Sequence, residues 1–175
     1  MLYVEKGTPA HAFELAFKLR SLDKYEIALN NHTPLDALIN PFRFTRPNVN
    51  TYTVLDNGSV VAMFGVVSNR YNIKHGSVWM LSSEELDKNW FYFSKRTKKW
   101  CDYFLSDYEF VYNYITKEHK NNIKWLKWLG FSFKSKNIIV KDVELLYFYK
   151  KIPNVSKNIQ PILGDIGPIW TTEIS

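Results

Sequence analysis

Tyr112-Asn113-Tyr114 sets a carboxamide between two phenols in a run, Phe110 to Ile115, that reads as a strand. A phenol at a strand end can serve as a general acid, and a carboxamide beside it can orient a polar group of a ligand. The plainer expectation is that Asn113 satisfies backbone groups where the strand ends and that the tyrosines alternate in and out of a sheet. Asp56, Asp107 and Glu109 stand near other strand ends, but no spacing marks any two of them as an acid–base pair. The single cysteine, Cys101, lies between Trp100 and Asp102 in a helical stretch with no partner base, so a buried thiol is expected rather than a nucleophile. His11, His32, His75 and His119 are scattered without a second ligand at i+4, and no metal site is expected.

Positioning these residues requires a folded domain, and 175 residues with 46% hydrophobic and 17% aromatic side chains supply one. The apolar runs, such as Val60 to Val67, are far shorter than the roughly 20 residues of a membrane span. The opening residues Met1 to Lys6 show no basic leader followed by an apolar run, so the expected location is a cytoplasm or a particle assembled there.

Thr8-Pro9 caps a first helix, expected over 9–29 from the spacing of Ala12, Leu15, Ala16, Leu19 and Leu22. Thr33-Pro34 starts a short second one. Thr51 to Asp56 and Ser59 to Val67 are strands joined by Asn57-Gly58, the pair preferred in a type I′ hairpin because both residues tolerate positive φ. Ser77 to Leu81 extends this meander. Ser82-Ser83-Glu84-Glu85 then opens a long helix, 83–105, whose stripe is Leu86, Trp90, Phe93, Trp100 and Phe104. After the Phe110 strand, Glu118 to Leu129 is a helix stopped by Gly130, and Phe131-Ser132-Phe133 and Val143 to Tyr149 complete the sheet. The order β α α β β β α β α β β implies an α+β fold in three layers: a mixed sheet with helices on both faces.

The charge is unevenly placed. Residues 1–87 hold eight Lys/Arg against nine Asp/Glu, and residues 88–175 hold fifteen against eight, for a net charge of +6 over the whole chain. Fourteen of the latter fifteen cations are lysines, among them Lys88, Lys95, Lys98, Lys99, Lys124 and Lys127 on the two later helices. Such faces suit non-specific contact with nucleic acid, although a solvated lysine face is the plainer reading.

The element order resembles the GNAT acyltransferase fold, with its mainly antiparallel sheet. Asn113 followed by Lys117-Glu118-His119-Lys120 through Trp128-Leu129-Gly130-Phe131 is similar to the GNAT passage from strand five through a helix into a Gly-Phe turn. Met63-Phe64-Gly65, Trp79-Met80-Leu81 with Ser82-Ser83-Glu84-Glu85-Leu86, and Trp125-Leu126 to Gly130-Phe131 resemble small GNAT-like internal virion or acetyltransferase-like proteins of short-tailed phages, over residues 3–150. For an enzyme, the resemblance implies acetyl-CoA as cosubstrate, Leu81, Ser82 and Ser83 beside its diphosphate, and Asn113 with Tyr112 or Tyr114 near the thioester. GNAT enzymes hold the diphosphate with a glycine-rich loop at the helix N-terminus after strand four. Here that stretch has no glycine, and Glu84, Glu85 and Asp87 would each repel a diphosphate by on the order of 1 kcal/mol at a few Å in water.

Beyond residue 150 the periodicity stops. Residues 151–175 carry three prolines with Ile162, Leu163, Ile166, Ile169 and Trp170 at short intervals, the pattern of an extended arm whose side chains fill pockets on a partner. The expectation is therefore a domain over 1–150 and an attachment arm over 151–175. The leading functional expectation is a non-catalytic virion protein, without cofactor, docking on other phage virion proteins (portal, core, tail or capsid) in a setting compatible with homo-oligomers. The alternative is an N-acetyltransferase using acetyl-CoA on an amine.

Overall fold

The structure, a computed structural model, describes residues 2–43 and 50–153. The arm residues Ile162, Leu163, Ile166, Ile169 and Trp170, and part of the Pro41 to Pro47 loop, lie outside them. Among the described residues no helix is long and apolar enough to cross a membrane.

Strands β1 (Leu2–Lys6), β2 (Asn50–Asp56), β3 (Ser59–Ser68), β4 (His75–Ser82), β5 (Phe110–Thr116), β6 (Ser132–Val140) and β7 (Val143–Lys151) form one sheet in the order β1-β2-β3-β4-β5-β7-β6. Every neighbouring pair is antiparallel except β4 and β5. The β2–β3 hairpin turns as expected, with φ of 50° at Asn57 and 84° at Gly58. A register shift opposite Leu55 leaves Val61 bulged, so Val60 and Met63 both face the first helices while Val61 and Phe64 face the later ones.

Helices α1 (Pro9–Lys18), α2 (Ser21–Leu29) and α3 (Pro34–Ile39) precede the hairpin. Thr8 caps α1 by accepting the His11 N–H at 3.3 Å, and Thr33 forms a reciprocal capping box with Asp36 at the start of α3. Ala12, Leu15, Leu19 and Leu38 pack on Val60 and Met63 on one face of the sheet. On the other face lie α4 (Glu84–Lys88), α5 (Trp90–Phe104) and α6 (Lys120–Trp128), with Leu86 and Phe93 against Tyr52, Val54 and Phe64, and Cys101, Leu126 and Leu129 against Val111 and Phe148.

Two helices expected to be continuous are broken. The 9–29 helix is interrupted at Leu19, whose φ of −56° and ψ of 141° are extended; it bridges Ser83, and the Arg20 N–H donates to the Ser82 carbonyl at 3.0 Å. A long-range strand contact thus outweighs helical spacing and sends α2 off on a new axis. The 83–105 helix is interrupted at Asn89, which has φ of −110° and ψ of 12°, although the stripe from Leu86 to Trp90 and Phe93 runs through the break. Strand β6 is also longer than Phe131-Ser132-Phe133, reaching Val140.

Candidate functional site

The β4–β5 pair is where the sheet opens. The two strands are in register only at His75–Phe110, Gly76–Val111 and Ser77–Tyr112, after which they diverge while continuing to Ser82 and Thr116. Asn113 is the first residue past the last pair. Its Nδ2 donates across the gap to the Val78 carbonyl at 2.6 Å, and its Oδ1 accepts the Tyr114 N–H at 2.8 Å. The side chain thus replaces a ladder bond at the apex and props the strands apart.

Divergence leaves N–H groups at both strand ends without a ladder partner, and α2 supplies acceptors for them. Asp23 and Glu26, three residues apart, project from one helical face. Asp23 Oδ2 accepts the Ser82 N–H at 2.9 Å, and Glu26 Oε1 accepts the Thr116 N–H. Asp23 is 2% exposed and is paired by Arg20, through Nε at 3.2 Å and a terminal nitrogen at 3.0 Å; Arg20 also reaches Asp87 at 3.3 Å. His119, 4% exposed, sets Nε2 3.3 Å from Glu26 Oε2 and 3.7 Å from Asp23 Oδ1 without a hydrogen bond to either. Buried polar atoms are nearly always satisfied, and His119 Nε2 and Trp79 Nε1 are among the buried side-chain atoms here that have no hydrogen-bond partner.

Behind this cluster lies a cavity of about 190 Å³ that passes between the diverging strands. Asp23, Glu26, His119, Asn113, Tyr114 and Trp79 line it on the polar side; Phe93, Thr97, Trp100, Cys101 and Phe104 of α5, Trp125 and Leu126 of α6, and Leu129 just after it line its apolar side. Outside the cluster, a groove of about 730 Å³ runs between Arg20, Glu84, Asp87, Glu118 and Lys120, with His119 and Asn122 shared by groove and cavity.

The anticipated residues are partly assembled here. Asn113 and Tyr114 line the cavity, as does Leu81, but Tyr112 does not; its ring packs between Phe110 and Tyr147. Ser82 and Ser83 are buried with their N–H groups engaged, the first by Asp23 and the second by the Val61 carbonyl at 2.9 Å. Glu84, Glu85 and Asp87 fill the first turn of α4. Cys101 is buried, and desolvation pushes its thiol up to about 12. Asp56, Asp107 and Glu109 do not line the cavity. Trp125 turns inward, its Nε1 donating to Thr97 Oγ1 at 3.0 Å, while Trp128 stays 48% exposed. Among the described residues no His, Cys, Asp or Glu group has the arrangement of a metal site. Sequence reading missed Arg20, Asp23, Glu26 and His119. The Arg20, Asp23, Glu26 spacing was visible, but in an unbroken helix it reads as a solvated face.

No protein-family model matches the chain, and no curated protein matches it in sequence. Solved structures do match. An acetyltransferase of the GNAT family from Streptococcus pneumoniae superposes with a TM-score of 0.62 at 13% identity, over 87% of this chain and 100% of the other. The fold is that of the GNAT acetyltransferases. A spermidine N-acetyltransferase from Vibrio cholerae, in complex with CoA and spermine, matches the GNAT frame with a TM-score of 0.62 at 11% identity, over 86% of this chain and 95% of its own. A Bacillus subtilis acetyltransferase in complex with CoA gives 0.57 at 8% identity, over 87% and 100%. At these identities the likeness carries the GNAT fold alone. It supports the GNAT part of the sequence resemblance, while the phage part rests on sequence pattern.

Proposed function

We propose that the protein is an N-acyltransferase of GNAT type, moving an acyl group from a coenzyme A thioester to an amine. The observation that carries this reading is the parallel β4–β5 pair held open by Asn113 above a cavity large enough for an acyl group. The thioester supplies the activated acyl carbon, acetyl-CoA being the donor implied by the fold. In the transfer, the amine nitrogen forms the new C–N bond, the C–S bond breaks, and the amine's proton must leave. In this reading Glu26 and His119, at the polar end of the cavity, take that proton, and the Tyr114 phenol, which also lines the cavity, protonates the departing thiolate. The fit is good at the acyl end and poor at the diphosphate end, where the Ser82 and Ser83 N–H groups are engaged and three carboxylates fill the following turn.

That poor fit favours a second reading, a non-catalytic use of the fold, as in an accessory protein of a phage particle attached through residues 151–175. A thermal-shift titration separates the two. Binding of an acyl-CoA thioester, acetyl or longer, raises Tm, by the equivalent of about 2.7 kcal/mol at a hundred times Kd, if the first reading is right. An unchanged Tm at millimolar acetyl-CoA and at millimolar hexanoyl-CoA sinks it and leaves the scaffold reading, for which loss of particle incorporation on deleting residues 151–175 is the positive test.

A further inference from the structure

We propose that the donor is selected by its acyl end, and that the acyl group is larger than acetyl: a chain of about six carbons or a compact aromatic acyl group. The inference rests on the acyltransferase reading and names the substrate class for it.

Native cores rarely hold voids larger than a water molecule. An engineered apolar cavity of ~150 Å³ stays dry and binds benzene. The cavity here, about 190 Å³, exceeds that, whereas an acetyl group has three heavy atoms. The far wall is formed by Trp100, Cys101, Phe104, Leu126, Leu129 and Phe148. Apart from the Trp100 indole N–H and the weakly polar Cys101 thiol, its side chains are hydrocarbon. The Thr97 hydroxyl that adjoins it already accepts the Trp125 Nε1 bond and donates to the Ser94 carbonyl at 2.8 Å. A buried water needs two to four polar partners, so the wall calls for an apolar occupant.

The opposite end differs. Trp79 Nε1 is a donor only, so its missing partner must be an acceptor such as a carbonyl oxygen. His119 Nε2 and the Glu26 carboxylate beside it suit an amine or amide N–H. A ligand with an apolar body of six or more heavy atoms and an amide or thioester at one end satisfies both. Phosphates add little, because the Ser82 and Ser83 N–H groups are engaged and the three carboxylates of the outer groove, Glu84, Asp87 and Glu118, outnumber its Arg20 and Lys120.

The test is calorimetric titration of the full chain with acetyl-CoA, hexanoyl-CoA, CoA and S-hexanoyl-N-acetylcysteamine, a truncated thioester without phosphates. Each buried methylene is worth roughly fourfold in affinity. Hexanoyl-CoA, with four more methylenes, is therefore expected to bind about 250-fold tighter than acetyl-CoA, with the truncated thioester within about tenfold of hexanoyl-CoA. Filling the wall by Cys101→Leu should shrink the hexanoyl preference at least tenfold; Leu126→Phe serves if that variant does not melt cooperatively. Acetyl-CoA binding as tightly as hexanoyl-CoA overturns the inference and leaves acyl transfer standing. Hexanoyl-CoA binding without the truncated thioester overturns selection by the acyl end. If no thioester binds, the acyltransferase reading itself falls and takes this inference with it.

Discussion

Asp23 is the residue on which the site turns. It is nearly inaccessible, it accepts the Ser82 N–H, and it neutralises Arg20. Removing one partner of a buried ion pair leaves the other charge unpaired and typically costs about 3–5 kcal/mol. Asp23→Ala is accordingly expected to lose stability of that order in urea denaturation, while Asp23→Asn, which keeps an acceptor for Ser82, loses distinctly less. Equal losses for the two variants would show that the acceptor for Ser82 adds nothing and that the lost charge facing Arg20 accounts for the whole effect. Cys101 offers a test of a different kind. Burial raises its pKa to about 12, so the folded thiol remains protonated until pH approaches that value. The thiolate is the reactive form, so alkylation at pH 8 should proceed only through opening of the fold and should accelerate sharply in mild denaturant. Prompt labelling of the native protein at pH 8 would place Cys101 outside the core.

At the level of elements, what was legible in the sequence is what local chemistry decides. Asn57-Gly58 adopts two positive φ values because those residues tolerate them, and Thr33 with Asp36 closes a capping box four residues long. Gly130 stops α6 with φ of 88°, and a Cβ there would meet only Lys150 at ordinary contact distance. Its replacement by alanine should therefore cost only the backbone strain of a left-handed conformation, roughly 1–2 kcal/mol, read as a lower Tm. A loss well beyond that would imply packing not seen around the turn. The breaks at Leu19 and Asn89 were not legible, because in both places the apolar spacing continues through the break. Only the partner strand, 64 residues away at Ser83 in the case of Leu19, makes the extended conformation favourable. The same cause hid the site. Asn113 could be found from its place at a strand end, but Asp23, Glu26 and His119 acquire meaning only when α2 is turned towards the open ends of β4 and β5.

The described residues build a single seven-stranded sheet whose two sides do different work. One face carries the apolar wall beneath α5 and α6, and the other carries the ionisable groups of α2 and a row of half-buried rings, Phe110, Tyr112, Tyr114, Tyr147 and Tyr149, on β5 and β7. The divergence of two central strands connects the faces, which is how an acidic cluster and an aromatic cavity come to share one space. Sequence charge alone pointed elsewhere, to the lysines of the second half. Several of those are held over rings, Lys95 at 4.3 Å from Phe91 and Lys98 at 5.8 Å from Trp128, so part of that basic face is anchored to its own aromatic surface.

The bonds from Asp23 and Glu26 to the two strand ends also have a consequence in time. The outer groove and the inner cavity share His119 and Asn122 beside the residues that tie α2 to Ser82 and Thr116, so a ligand taking that route is expected to require α2 to move. Motions of that kind run on microseconds to milliseconds. With Trp79, Trp100 and Trp125 lining the cavity as intrinsic reporters, stopped-flow fluorescence should show an association rate that levels off as ligand concentration rises. The plateau would be the opening rate of α2 and identical for every ligand that fits, whatever its affinity. A rate that keeps climbing in proportion to concentration would mean that the passage already stands open.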